Sequence, residues 1–426
     1  MLSITVAGMW HLGSVTAACL ASAGHQVVAI DEDPHVIAEL KEARPPVAEP
    51  GLSELIAEQL TTSRLRFATG FDEAARADVV WVAYDTPVDS NDNADIEFVM
   101  KRASRLLEHV RDGAALIVSS QMPVGSVARL EREFGVTAAG RQVAFACIPE
   151  NLRLGKAIEI FLRPDRVVVG TRNHAARELL QSVYRPFTDR IEWMSVESAE
   201  MTKHAINAFL ATSICFINEI ALVCERTGAD ALDVERGLKT DRRIGPLAYL
   251  HAGGAFAGGT LARDISFLRS VVSGDSTALP LIDGVYASNE RHKTWLQRRI
   301  VESLGSLAGR TVAILGLTYK PGTSTLRRSS AVEAAQWLNS QGAIVRAFDP
   351  EVRELPEHLK PIISLSSSPN DLLTGADALV VMTPWPEFRN LNPQSPPPLV
   401  FDAGRFLEEL FGARNDVRYY AIGRGD

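Results

Sequence analysis

Ser3-Ile4-Thr5-Val6-Ala7-Gly8-Met9-Trp10-His11-Leu12-Gly13 opens the chain as an apolar, partly β-branched run that turns on a glycine. Residues 14–23 continue as an alanine-rich helical stretch, and 26–30 form a second apolar run ending at Asp31. Strand, glycine turn, helix and a strand closing on a carboxylate make the βαβ opening of a doubly wound sheet. Such a turn suits a dinucleotide. Gly8 permits the tight turn and Gly13 the close helix approach. The helix N-terminus faces phosphate, and Asp31, eighteen residues after Gly13, reaches the adenosine ribose. Trp10 stands where a second glycine ordinarily admits the pyrophosphate, so the alternative is a sheet of this kind that binds no dinucleotide. Asp31 repels a 2′-phosphate, which makes NAD the expected cofactor and not NADP.

The same rhythm continues outward. Apolar runs of strand length occupy 77–83 (ADVVWVA), 114–119 (AALIVS), 142–148 and 166–170, separated by helical segments. Runs apolar throughout suit strands buried on both faces. Past residue 195 the pattern changes: 198–226 reads as one long helix, with further helix to about 304, interrupted by a glycine-rich segment at 253–259. Strands return at 310–317 (RTVAILGL), 343–348, 376–382 and 398–402, and 392–398 is a proline-rich surface loop. The expected architecture is α/β, two Rossmann-like doubly wound domains (1–195 and 305–426) joined by a helical domain (196–304) built on a long central helix.

Composition narrows the partners. The 426 residues exceed one ordinary core, and 44 Lys plus Arg against 52 Asp plus Glu gives a net charge of −8. A broad basic surface is excluded, so neither nucleic acid nor anionic membrane is an expected partner. No apolar run is read as approaching the roughly 20 residues that cross a bilayer. The N-terminus lacks the basic segment of a signal peptide, and the four cysteines lack metal-type spacing, which suits a reducing cytoplasm without a metal.

Further motifs occur in order: Glu49-Pro50-Gly51-Leu52, Thr86-Pro87, Pro123-Val124-Gly125, Pro149-Glu150-Asn151-Leu152 and the segment from Arg163 to Gly170. After these come Glu200-Met201-Thr202-Lys203, the stretch from Asn207 to Thr212, Phe216-Ile217-Asn218-Glu219, Asp241-Arg242-Arg243-Ile244-Gly245, the segment from Gly316 to Thr323, and Trp385-Pro386-Glu387-Phe388. The series resembles the UDP-glucose/GDP-mannose dehydrogenase family over essentially the whole chain. The resemblance implies an N-terminal NAD domain, a central helix that builds a homodimer, and a C-terminal domain that grips a nucleotide-sugar. Family enzymes oxidise C6 of the sugar from alcohol to acid with two NAD and a covalent cysteine thiohemiacetal.

By matching position, Lys203 and Asn207 line the sugar pocket, Asp264 activates water, and Glu150 and Thr260 complete the catalytic set. Lys320, Arg243, Tyr249 and Gly258 contact substrate. Gly8, Trp10, His11, Leu12, Gly13, Asp31, Thr86 and Arg327 form the cofactor side. The same matching shows departures. Thr260 occupies the cysteine position within 255–264, and Arg263 replaces a lysine. Leu154 replaces a glutamate, Gln121 a threonine, and Ser324-Thr325 a pair of aspartates.

Physical chemistry bears on several of these. Lys203 and Asn207 are four residues apart, hence on one helix face, and can polarise one sugar oxygen together; the alternative is a Lys203–Glu200 pair on a solvated face. Lys320 projects from a loop at a strand's carboxyl end, where ligands bind in open α/β sheets, although a solvated loop lysine reads the same way. Arg243 and Arg327 read equally as surface charges, and Asp264 as a surface or cap residue. A threonine hydroxyl needs a dedicated base that a thiol does not. Cys147 is either a substitute thiol or an inert core cysteine. An NAD-dependent nucleotide-sugar dehydrogenase is therefore expected, with a single oxidation, or oxidation of a different sugar carbon, at least as plausible as complete acid formation; a catalytically dead binding protein and a redox-neutral epimerase are the alternatives.

Overall fold

The computed structural model describes residues 1–87, 94–137, 140–256, 259–272, 278–327, 329–392 and 395–425. The chain divides into two compact units, Met1–Ile206 and Asn207–Asp426.

The first unit is built on an eight-stranded sheet: β1 (Ser3–Ala7), β2 (Gln26–Ile30), β3 (Leu65–Ala68), β4 (Val79–Val82), β5 (Ala115–Val118), β6 (Ala144–Cys147), β7 (Val167–Thr171) and β8 (Ile191–Met194). Its order is β3-β2-β1-β4-β5-β6-β7-β8, parallel except where β6 meets β7. Within each inner strand alternate side chains enter opposite cores. Ile4, Val6, Val79, Trp81 and Ile117 pack on one face, and Ala7, Val80, Val82, Leu116 and Val118 on the other. Burial on both faces is why β4, β5 and β6 are apolar at every position.

In the second unit six parallel strands run in the order β11-β10-β9-β12-β13-β14. They are β9 (Thr311–Leu315), β10 (Ile344–Phe348), β11 (Ile363–Leu365), β12 (Ala378–Val381), β13 (Leu399–Asp402) and β14 (Arg418–Tyr420). Both sheets therefore have a topological switch point, between β1 and β4 and between β9 and β12, where ligands bind outside the strands' carboxyl ends.

The long helix is Val196–Thr227, two residues longer at its start and one at its end than the sequence pattern predicts. It corrects the expectation about apolar runs, because by length and composition it is long and apolar enough to cross a membrane. Asn207, Asn218 and Cys215 are nevertheless buried along it, and Asn218 Oδ1 accepts from Gly253 N at 2.9 Å, as a core helix would have it. The helical stretch beyond it resolves into Ala231–Thr240, Thr260–Val271, Pro280–Lys293 and Trp295–Leu304. Part of the proline-rich loop, 393–394, lies outside the described residues.

The first turn closes by contact. Gly8 has φ +96°, and a Cβ there would lie 2.6 Å from Tyr84 Cδ1. On Gly13 a Cβ would lie 1.7 Å from the Gly8 carbonyl oxygen. Replacing Gly13 by Ala must therefore displace the helix or the turn, at a cost of roughly 3 kcal/mol. Gly135, exposed in the helix Ser126–Thr137 with open space around it, is the matched control. There, alanine raises stability by about 0.5 kcal/mol through helix propensity. Denaturant unfolding of Gly13→Ala and Gly135→Ala should give effects of opposite sign.

Candidate active site

Of the eight cofactor-side residues, all but Arg327 gather at the carboxyl ends of β1, β2 and β4. Trp10 caps the helix His11–Ser22 with φ −95°, a backbone angle open to any residue, and its indole is half exposed. Asp31 Oδ2 accepts from Met9 N at 2.7 Å, while Oδ1 accepts from Asp33 N at 3.0 Å. The carboxylate thus holds the turn and keeps lone pairs for a ribose hydroxyl. Leu12 is buried, and only its backbone faces the helix end, donating N–H to Asp85 Oδ2 at 3.4 Å. Thr86 donates its hydroxyl to Gln121 O at 2.7 Å, joining the loops after β4 and β5.

His11 lies 2.9 Å from Glu49, whose buried carboxylate also accepts from Gly155 N and Ala157 N at 2.8 and 2.9 Å. Burial pushes the Glu49 carboxyl up, but the Gly155 N–H, His11 and the Ala157 N–H outweigh it and hold the group below the usual carboxylate range. Glu49 thereby ties the dinucleotide turn to the segment after β6. Its Glu-Pro-Gly-Leu motif signalled importance, but not this role.

A second cluster forms where β5 and β6 end. Trp81 Nε1 donates to Ser119 Oγ at 2.8 Å, and Ser119 donates on to Ile148 O at 2.7 Å, pinning three strand ends together. Glu150, Glu200, Lys203, His204, Gln121 and Cys147 line the pocket beside them, which at about 20 Å³ holds a single water. Lys203 Nζ lies 3.8 Å from Glu150 Oε2. The alternative Lys203–Glu200 pair does not form, because Glu200 is buried and accepts from Gly125 N and Val127 N at 2.6 and 3.0 Å. Burial still pushes the Glu200 carboxyl above its ordinary range. Cys147 is buried too, and burial first, then the charge of Glu200, pushes its thiol far up. It is the inert core cysteine of the two readings. All four cysteines are free and buried.

In the second unit Asn207 Nδ2 donates to Asp264 Oδ2 at 2.5 Å. Asp264 is 1% exposed, so it is neither a surface nor a cap residue. Thr260 is the exposed first residue of the helix Thr260–Val271, and its hydroxyl meets no base among the described residues. Gly258 lies outside the described residues. Arg243 is highly exposed and grips Asp241 with two hydrogen bonds of 3.1 and 2.7 Å, and Tyr249 is also exposed.

Lys320 and Arg327 sit on the loop after β9. The Lys320 carbonyl accepts from Thr323 Oγ1 at 3.0 Å, and Arg327 is exposed. Sequence reading missed the residue that shapes this loop. Asp349, buried at the end of β10, accepts through Oδ2 from Leu317 N, Thr318 N, Thr318 Oγ1 and Trp385 Nε1 at 2.7–3.1 Å. Its position, one strand after a glycine turn, repeats that of Asp31 and was the available signal.

The UDP-glucose/GDP-mannose dehydrogenase family matches in sequence through its NAD binding domain at residues 2–188, its central domain at 197–291 and its UDP binding domain at 313–409. The chain is 35% identical to UDP-glucose 6-dehydrogenase of Rhizobium meliloti (strain 1021), covering 100% of both chains. It is 33% identical to UDP-glucose 6-dehydrogenase YwqF of Bacillus subtilis (strain 168), covering 99% of this chain and 98% of the relative. A solved UDP-glucose dehydrogenase from Pyrobaculum islandicum superposes with a TM-score of 0.90 at 30% identity, covering 100% of this chain and 98% of that one. With the turn around Gly8 and Gly13, the carboxylate of Asp31 and two doubly wound sheets in place, this chain belongs to the UDP-glucose/GDP-mannose dehydrogenase family of NAD-dependent nucleotide-sugar dehydrogenases.

Proposed function

We propose that this protein oxidises UDP-glucose at C6 and stops after one oxidation, releasing an aldehyde. The substrate reading rests on the relatives, named UDP-glucose 6-dehydrogenases over the full length of the chain. NAD, held by the turn around Gly8 and Gly13 and by Asp31, would supply the hydride acceptor. Lys203 hydrogen-bonds the sugar hydroxyl, and Glu150 beside it takes up the proton that leaves oxygen. Asn207, with its amide fixed by Asp264, holds a second sugar oxygen. Lys320 neutralises the diphosphate, with Tyr249, Arg243 and Gly258 on the substrate side and Arg327 on the cofactor side.

The observation that carries the single oxidation is Thr260, an exposed hydroxyl with no base among the described residues. Such a hydroxyl does not add to an aldehyde at a useful rate. None of the four buried thiols replaces it, since desolvation disfavours each thiolate.

The same reading assigns residues 1–195 to the cofactor, 196–304 to assembly and 305–426 to the nucleotide. Phe209, Phe216 and Val223 recur seven residues apart on the long helix and are 70%, 48% and 56% exposed, an apolar stripe suited to a second copy. Ile217, on the same helix, is fully buried in the core of its own unit and takes no part in that stripe.

Two measurements test this. Incubated with UDP-glucose and NAD, the protein should yield one NADH per sugar and an aldehyde that hydroxylamine traps. Thr260→Cys should restore acid formation in part. Two NADH per sugar with a uronic acid product overturns the single oxidation; a changed sugar without net NADH indicates an epimerase, and binding alone indicates a dead enzyme. In sedimentation at micromolar concentration the chain should be a dimer, and Phe209→Glu with Phe216→Glu should shift it to monomer.

A further inference from the structure

Asp31 is followed directly by Glu32, and Glu32 is not idle. Its Oε2 lies 2.7 Å from Arg102 Nε, and its Oε1 pairs with Arg105. The two arginines are three residues apart on the helix Ile96–His109, hence on one face. Each is also held from behind. The Arg102 guanidinium stacks 3.6 Å from the Phe98 ring centroid and 5.8 Å from that of Tyr84, and Arg105 stacks 4.5 Å from that of Phe71. Tyr84 is the residue against which Gly8 closes. Two guanidinium groups are therefore held on Glu32, the residue next in sequence to the carboxylate assigned to the adenosine ribose.

A pair of stacked arginines next to the end of β2 is the chemistry that grips a 2′-phosphate, since guanidinium and phosphate match as bidentate partners. Asp31 alone explains why a phosphate is repelled, but not why the arginines beside it fail to compensate. Glu32 supplies the reason: one carboxylate occupies both.

We propose that Glu32 is a specificity-determining residue for the cofactor, sequestering Arg102 and Arg105 so that the site accepts a free ribose 2′-hydroxyl and refuses a 2′-phosphate. The proposal rests on the cofactor site of the first unit and deepens it. It makes Asp31 and Glu32 two locks in series. Asp31 contributes direct repulsion, and Glu32 withholds the cations that would reward the phosphate. Removing Asp31 alone leaves both arginines paired with Glu32, and removing Glu32 alone leaves the repulsion. Their effects on NADP affinity must then be cooperative.

The test is a double-mutant cycle read by calorimetric binding of NAD and of NADP to the full chain, without sugar substrate. The variants are Asp31→Ser, Glu32→Gln and both together, each checked for an unchanged thermal transition. Glu32→Ala replaces Glu32→Gln if the latter fails that check. The NADP affinity of the double variant should exceed the product of the two single effects by about tenfold. Adding Arg102→Ala and Arg105→Ala to it should abolish that excess. Additive effects, or an excess that survives loss of both arginines, overturns the proposal. Absence of NAD binding by the unmodified chain is a separate result, because it removes the cofactor reading on which the proposal stands.

Discussion

The fold depends on backbone passing close to backbone at the end of the first strand of each sheet. In the first unit a Cβ on Gly13 would lie 1.7 Å from the Gly8 carbonyl oxygen, and one on Gly8 would meet Tyr84. The second unit repeats the constraint with different neighbours. Gly316 has φ +85°, and a Cβ there would lie 2.5 Å from both Cβ and O of Thr383. No side chain fits either place. Each glycine lets the chain leave its strand across the strand that opens the other half of the sheet, and this crossing creates the cleft at the switch point.

The two clefts differ in the carboxylate beside the glycine. Both sheets end their second strand with an aspartate that binds the glycine turn. Asp349 Oδ2 is surrounded by four donors and the residue is buried, so it serves as an internal latch for the loop carrying Lys320. Asp31 accepts two backbone N–H groups and remains partly open. One topology therefore yields a carboxylate available to a ribose in one unit and a structural one in the other. Around the first cleft, Asp85 accepts the Leu12 N–H at the helix end and Glu32 pairs with two arginines, so its acids also hold the structure around them.

The pattern of legible and illegible elements has a physical cause. Every inner strand was readable, because burial against both cores keeps these runs mainly apolar. The four strands that sequence reading passed over, β3, β8, β11 and β14, are the outermost strands of the two sheets. Their side chains are partly exposed, as in β8 (IEWM) and β14 (RYY), so they carry no continuous apolar signal. The site divides along similar lines. Gly8, Gly13 and Asp31 stand in one local motif and could be placed from spacing. The partnerships of Glu49 with the Gly155 and Ala157 amides, or of Glu32 with Arg105, join residues far apart in the chain, and nothing in local periodicity encodes them.

Electrostatics at the carboxyl end of β6 sets what chemistry that cluster can host. Cys147 and Glu200 are buried side by side, and burial disfavours the charged form of each. The acid's charge further penalises a thiolate, while two backbone N–H groups favour the acid's own ionised form. If one of the pair ionises it is therefore Glu200, whose anion is hydrogen-bonded, and the thiol stays protonated. Lys203 is free of Glu200 and faces Glu150 instead, so a cation and a carboxylate stand together where protons can be exchanged, next to a sulfur that cannot attack carbon. Hydride loss from an alcohol needs only the first of these capabilities. Addition to the resulting aldehyde needs the second. On the reading proposed above, Lys203 and Glu150 serve hydride loss from an alcohol, while the protonated Cys147 thiol supplies no nucleophile to the aldehyde that results.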